Sequence, residues 1–175
     1  MALLGDAVSE ANTKSTPAVP KEILHKDENG PERKQSWNYR SLIGMLSYLA
    51  NTTRPDIAFA THQCARFAAN PKLIHERAAK RICRYLKGTL DENGKARGLV
   101  MRPDKSSGIE CYVDADFAGG YRKDLAHDPV SVLSRTGYVI FYMSCPIIWY
   151  LKCRLRSLFP LLRRNMWPCH SQCAM

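Results

Sequence analysis

The hydrophobic spacing changes once along this 175-residue chain, and that change decides what it can fold into. Before Asp91-Glu92-Asn93-Gly94, apolar residues recur at three- and four-residue steps; after it they fall into short, strand-like runs. Helices gathered in one stretch and strands in the next give an α+β chain, with consecutive strands mostly antiparallel. In the first stretch, Tyr39, Leu42, Ile43, Leu46 and Leu49 make an apolar stripe that Asn51-Thr52-Thr53-Arg54 ends. Pro55 suits the opening of a second helix, lined by Ile57, Ala60, Cys64 and Phe67 and broken at Asn70-Pro71. A third is expected over about 72–87, with Ile74, Ala78, Ile82, Tyr85 and Leu86 on its apolar side and Gly88 placed to cap it. Short loops between three helices predict a compact helical subdomain over 36–90. Residues 1–35 are polar and carry Pro17, Pro20, Gly30 and Pro31. They offer little apolar surface to offset their ordering entropy, so a disordered N-terminal tail or linker is expected.

Beyond the break, short strands are expected over 98–101, 109–114, 136–143 and 147–150, with Ser144-Cys145-Pro146 turning into the last. Two acids, Asp114 and Asp116, stand at the end of the second strand. Residues two apart on a strand share a face, so both carboxylates point the same way. Like charges that close repel unless a cation or a proton lies between them, and a divalent ion of the magnesium type suits hard oxygens. A solvated acidic strand end accounts for the same spacing.

The formal net charge of +10 favours an acidic partner, nucleic acid first and an anionic membrane surface second, although a basic structural role gives the same balance. The charge is densest on the third helix, where Lys72, Arg77, Lys80, Arg81, Arg84 and Lys87 face Glu76 alone. That spacing suits a face that tracks phosphates and, equally, a solvated helix face. No signal peptide and no bilayer-length apolar run is present, so an intracellular location, cytoplasmic or nuclear, is expected. The seven cysteines are odd in number and lack Cys-x-x-Cys spacing; reduced thiols are expected. Cys169, His170 and Cys173 suggest a metal clip with no evident fourth ligand.

Several long motifs in one order resemble a known family. They are Tyr39-Arg40-Ser41-Leu42-Ile43-Gly44, Thr53-Arg54-Pro55-Asp56-Ile57, Arg84-Tyr85-Leu86-Lys87-Gly88-Thr89, Val113-Asp114-Ala115-Asp116-Phe117-Ala118-Gly119, Arg135-Thr136-Gly137-Tyr138-Val139 and Ile147-Ile148-Trp149. Over roughly residues 36–150 the chain is similar to the copia-type retrotransposon polyprotein. The resemblance implies the thumb and connection region of its reverse transcriptase, the RNA-directed DNA polymerase, over 36–90. It implies the N-terminal part of a ribonuclease H-like domain over 97–150, which cuts the RNA strand of an RNA–DNA hybrid. By resemblance Asp114 is the first metal-binding, catalytic carboxylate and Asp116 the neighbouring family acid. The cofactor implied is magnesium, two ions clamping the scissile phosphate and activating a water. The basic third helix would then grip the hybrid's backbone.

The sequence departs from that family at both ends. The polymerase palm is not in it, so no polymerase activity carries over. After the tryptophan the family reaches a Ser-Thr-x-Glu-Ala-Glu-Tyr stretch with the nuclease's second catalytic acid, whereas residues 151–175 contain no acid. One choice of codons for Lys152 to Cys169, read from the third base, gives Met-Gln-Thr-Glu-Ile-Ala-Leu-Ser-Thr-Thr-Glu-Ala-Glu-Tyr-Val-Ala-Leu. A frameshift near Tyr150 and an out-of-frame tail over 151–175 are therefore expected, in a pseudogene-like fragment of the polyprotein; the coding DNA tests this. The metal site is then incomplete, the sheet a short, incomplete ribonuclease H-like one, and the isolated chain without catalysis. The alternative is a non-catalytic basic module that binds RNA–DNA hybrid or other nucleic acid. A third reading gives Trp149, Leu151, Leu155, Leu158 and Phe159, with Lys152, Arg154 and Arg156, to a basic amphipathic helix for membranes or partners, cut short by Pro160.

Overall fold

The computed structural model describes residues 12–20, 22–34, 37–96, 98–115 and 135–153. They fall into two units that divide after Leu99, one helical and one built on a sheet. The architecture is α+β.

In the helical unit, α1 spans Tyr39–Thr52. Asn38 caps it: its side-chain oxygen accepts the Ser41 N–H at 3.0 Å, satisfying one of the donors a helix start leaves over. A single turn of 3-10 helix, Pro55–Ile57, leads into α2, Ala58–Ala65. Pro55 sits where a missing N–H costs nothing. The longest helix, α3, spans Leu73–Gly88. Tyr39, Leu42, Ile43, Leu46 and Ala50 meet Ile57, Ala60 and Cys64, and the core is completed by Ala79, Ile82 and Cys83. Removing a side chain such as Ile82 from water contributes about 1.5–3 kcal/mol. The core has polar pins as well. The Tyr39 hydroxyl donates to the Cys64 carbonyl at 3.1 Å. Phe67 stacks on His75 with ring centroids 4.3 Å apart.

Two expectations for α3 need correction. Its buried face is His75, Glu76, Ala79, Ile82 and Cys83, whereas Ile74 and Ala78 lie to one side, less buried. The true face includes a histidine and a glutamate, which apolar periodicity passes over. Gly88 does not cap the helix but belongs to it; Thr89 is the cap, its N–H and hydroxyl both reaching the Leu86 carbonyl. The glycine answers a different demand. A Cβ there would stand 3.0 Å from the Thr13 Cβ, so its bareness lets another part of the chain come close.

That part is the N-terminal segment, and it departs from a free tail. Between 12 and 34 its described residues form no helix or strand, yet they are fastened to α3. The Leu73 N–H donates to the Pro31 carbonyl at 3.0 Å. The Lys34 N–H donates to Glu76 Oε2 at 3.1 Å, and Arg81 bonds both the carbonyl and the hydroxyl of Thr16. His75 holds two backbones at once: Nδ1 accepts the Lys72 N–H at 2.8 Å, which leaves Nε2–H to donate to the His25 carbonyl at 3.0 Å. The segment supplies backbone polar groups, so its low hydrophobicity did not signal the docking.

The motif Thr53-Arg54-Pro55-Asp56-Ile57 builds a clamp. Arg54 is 7% exposed and grips Asp56 with Nε and Nη2, at 3.0 and 2.8 Å. Its Nη1 donates to Thr89 Oγ1 at 3.0 Å, and the Tyr85 hydroxyl donates to Asp56 Oδ2 at 2.7 Å. The α1–α2 junction is thereby tied to the end of α3. Burial works against the Asp56 carboxylate, but the Arg54 and Tyr85 hydrogen bonds outweigh it and hold its pKa below the ordinary range.

Between the units' regular elements, Asp91 folds a turn: its carboxylate accepts from the Asn93 and Lys95 N–H groups, and Gly94 takes φ +73°. The strand expected over 98–101 is absent. Val100 is 71% exposed, and among the described residues this stretch has no neighbour to complete a ladder. The sheet comprises β1 (Ile109–Ala115), β2 (Arg135–Tyr142) and β3 (Cys145–Cys153), all antiparallel, with β2 in the middle. The β2–β3 turn falls at Met143 and Ser144, both at positive φ, which matches a two-residue hairpin. Pro146 is already in β3, beside the register shift opposite Ile140 and Phe141, on an edge strand where its missing N–H is tolerated. Ile109, Cys111 and Val113 share a face with Ile140, Tyr138, Ile148 and Tyr150. Much of that face is open, with Ile109 74% and Val113 63% exposed.

Amide hydrogen exchange should be faster over 109–115 than at Leu46 or Ile82; equal protection would contradict the open sheet. Arg54→Ala should lower unfolding free energy by about 1–3 kcal/mol in urea melts, and Tyr85→Phe by roughly 1 kcal/mol, because the first removes a buried guanidinium bonded to both Asp56 and Thr89 and the second a single hydrogen bond. Burial lowers the His75 pKa below 6.5, so its contribution to stability is complete above 6.5 and is lost as pH falls through the folded pKa. His75→Gln should flatten the decline in urea midpoint between neutral and acid pH.

Candidate functional site

The six basic residues singled out on and before α3 are put to different uses. Lys72, at the N-cap, is 8% exposed and its ammonium pairs with Glu32. The Lys80 ammonium pairs with Glu76 Oε1 at 2.7 Å, one turn back along the helix. Arg81 is committed to Thr16. Arg77 is exposed, and Arg84 and Lys87 are half-buried. The basic helix is therefore no continuous cationic face. One flank neutralises buried acid and fastens the N-terminal segment, leaving Arg77 as its most open cation.

Glu76 explains this division. It is 1% exposed, and a buried carboxylate is costly without partners. Lys80, the Lys34 N–H and, at 3.9 Å, the Arg33 guanidinium surround it. Arg33 in turn lies over the Trp37 ring at 4.6 Å.

Between the N-terminal segment and the α2 and α3 helices lies a groove of about 660 Å³. Val19, Leu24, Phe59, Ile74, Ala78 and Ile82 make it largely apolar. Among the described residues, Lys14, Lys34, Arg77, Lys80, Arg81 and Arg84 also line it, against the acids Glu22 and Glu76. Gln63 and Arg84 line it as well; Gln63 Nε2 and Arg84 Nε are themselves enclosed by protein and have no acceptor. Motif reading missed Gln63, since a glutamine inside a short helix carries no spacing signal. Burial removes the nearby thiols from chemistry: it pushes the Cys64 thiol up to about 12 and Cys83 up to about 11. The described Cys64, Cys83, Cys111 and Cys145 are all free.

In the sheet unit, Asp114 lies near the end of β1, opposite Gly137 on the central strand, and is exposed. It shares its face with Tyr112 and Glu110, whose carboxylate accepts the Tyr112 hydroxyl at 2.9 Å. Four residues of strand separate Glu110 from Asp114 by roughly 13 Å, too far to share one ion. Asp116 lies outside the described residues, as do Cys169, His170 and Cys173. Among the described residues no three His, Cys, Asp or Glu side chains come together. Those residues do not by themselves fit a magnesium centre, which needs several oxygen ligands in a near-octahedral shell. Among them, too, no helix is long and apolar enough to cross a membrane.

Comparison with known proteins gives the family. The chain is 33% identical over 138 residues to the retrovirus-related Pol polyprotein from transposon RE1 of Arabidopsis thaliana, covering 79% of this chain and 8% of that protein. It is 31% identical over 135 residues to the putative transposon Ty5-1 protein of Saccharomyces cerevisiae, covering 77% of this chain and 39% of the relative. It is also 32% identical over 114 residues to the secreted RxLR effector protein 161 of Plasmopara viticola, covering 65% of this chain and 71% of that one. No family model and no solved structure matches. The chain spans about a twelfth of the Arabidopsis polyprotein. The chain belongs to the Pol polyproteins of copia-type retrotransposons, of which it matches a segment.

Proposed function

We propose that residues 36–90 are the thumb and connection part of a reverse transcriptase and that 97–150 open its ribonuclease H domain. The observation that carries the reading is the order of the sheet. Three consecutive antiparallel strands, with an acid near the end of the first and the second in the centre, suit the start of a nuclease sheet that holds a metal-binding carboxylate. On this reading Asp114, with Asp116 beside it in sequence, is one part of a magnesium-binding set. When bound, magnesium would polarise the scissile phosphate and lower the pKa of a water. The chain's own contribution would be to hold one carboxylate on a rigid strand.

That set is incomplete in this sequence. From Pro129 onward it has no aspartate or glutamate, while a two-metal centre needs several carboxylates. On this reading the chain by itself does not cleave, and it binds nucleic acid through the cations that internal pairing leaves available. Arg77 on α3 supports this second part, being exposed amid a net charge of +10.

Incubation with a labelled RNA–DNA hybrid and magnesium should show no cleavage above background. Cleavage lost in Asp114→Ala would overturn the non-catalytic reading. Hybrid binding should weaken linearly with log salt, and Arg77→Ala should reduce that slope by about 1. Lys72→Ala should instead act through stability, since its ammonium is already paired. Salt-independent binding, or none, would remove the nucleic-acid reading.

A further inference from the structure

We propose that residues 12–24 are a displaceable strap. They hold Arg81, the middle member of a row of three arginines on α3, and the backbone of an RNA–DNA hybrid binds at full strength by taking Arg81 from them. The inference rests on the nucleic-acid reading above and adds a control to it. Arg77, Arg81 and Arg84 stand at i, i+4 and i+7, so they share one face over about 10 Å of helix. All three line the groove beside α3. From the N-terminal segment, Lys14, Pro17, Ala18, Val19, Glu22 and Leu24 line the same groove. The segment therefore lies along the row, and it engages the row at one point. Arg81 Nε donates to the Thr16 carbonyl at 3.1 Å, and Nη2 donates to the Thr16 hydroxyl at 2.8 Å.

The chemistry of that hold makes it reversible. Both acceptors on Thr16 are neutral, whereas a phosphate offers a guanidinium charged oxygens in a matching fork, and such bonds are roughly twice as strong. The other attachments are few. Among the described residues, the two bonds from Arg81 are the only hydrogen bonds between 12–24 and α3. The remaining contact is Ala18 and Leu24, partly buried against the core, and Thr13 beside Gly88. The firmer anchors begin just beyond, where the His25 carbonyl meets His75 and the Pro31 carbonyl accepts the Leu73 N–H. A strap lifted from Arg81 would stay tethered at those points. Its fit is also loose: its described residues form no helix or strand, and a groove of about 660 Å³ remains between it and the helices. Seated, the strap leaves Arg77 and Arg84 separated by an arginine already in use; lifted, it completes a row of cations for a phosphate backbone.

The experiment is a reversible lock on the full chain. A Cβ at position 88 would stand 3.0 Å from the Thr13 Cβ, within a small shift of the roughly 3.5–4.5 Å that a disulfide spans. The double variant Thr13→Cys, Gly88→Cys, oxidised and verified by mass spectrometry, should bind a fluorescent RNA–DNA hybrid about tenfold more weakly than the same variant reduced. The unaltered protein, taken through the same oxidation and reduction, controls for the chain's own cysteines. Equal binding by the locked and reduced variant would overturn the strap while leaving charge-driven binding intact. Absence of binding in both states and in the unaltered protein would overturn both readings. Thr16→Val keeps the shape of the side chain and removes the hydroxyl; it should tighten hybrid binding about threefold, and unchanged or weaker binding would overturn the hold on Arg81. Limited trypsin digestion needs no variant. Hybrid should speed cleavage after Lys14 in the unaltered protein, because a lifted strap is open to the protease. Cleavage that is slowed or unchanged would show that the strap stays seated on binding, and would sink the proposal.

Discussion

A carboxylate with almost no access to water governs how the helical unit is assembled. Glu76 enters the interior on the first turn of α3, and it cannot stay charged there unsupported. Its partners come from two directions. Lys80 reaches it from the next turn, and the N-terminal segment brings the Lys34 N–H and Arg33. The same need that places a lysine on the helix thus recruits a segment with little apolar surface of its own. Neighbouring contacts then extend the seam: His75 to the His25 carbonyl, Arg81 to Thr16, and Gly88 against Thr13. The groove is what remains where this polar seam does not close over Phe59, Ile74 and Ala78.

The residues that reveal the family are largely those that hold the fold. Arg54, Pro55 and Asp56 read as a signature, and in the structure they lock the α1–α2 junction to Tyr85 and Thr89. Tyr85 and Thr89 belong to another stretch of the same resemblance, so two distant motifs are halves of one hydrogen-bonded clamp. Folding the helical unit depends on this clamp, so the motifs carry structure as well as likeness. The sheet is different. Among the described residues, three strands carry an exposed apolar face and β1 and β3 have no outer neighbour, an arrangement that is marginal alone.

Much of the secondary structure was readable because it follows from local spacing. The stripe from Tyr39 through Leu46 lies in the core, the third helix begins within one residue of its expected start, and the later strands pair antiparallel. The misses share a cause. The short run at 98–101 has strand composition but no partner among the described residues, and pairing is not a local property. The inward face of α3 was misplaced because His75 and Glu76 are polar by type and buried by circumstance. The candidate site was legible only in part. The spacing of Asp114 and Asp116 predicts a strand end, and Asp114 does lie on β1, whereas Gln63 and the groove carry no sequence signal.

By itself, then, the sequence determined the family, the α+β division near Asp91–Gly94 and the dense positive charge of the third helix. These are properties of residue order, and order is what periodicity and motif comparison read. Only the tertiary structure decided which cations are spent internally, since Lys72, Lys80 and Arg81 find partners 40, 4 and 65 positions away along the chain. A charge is available to a ligand only when nothing folded against it has already neutralised it, and that depends on what the chain brings near.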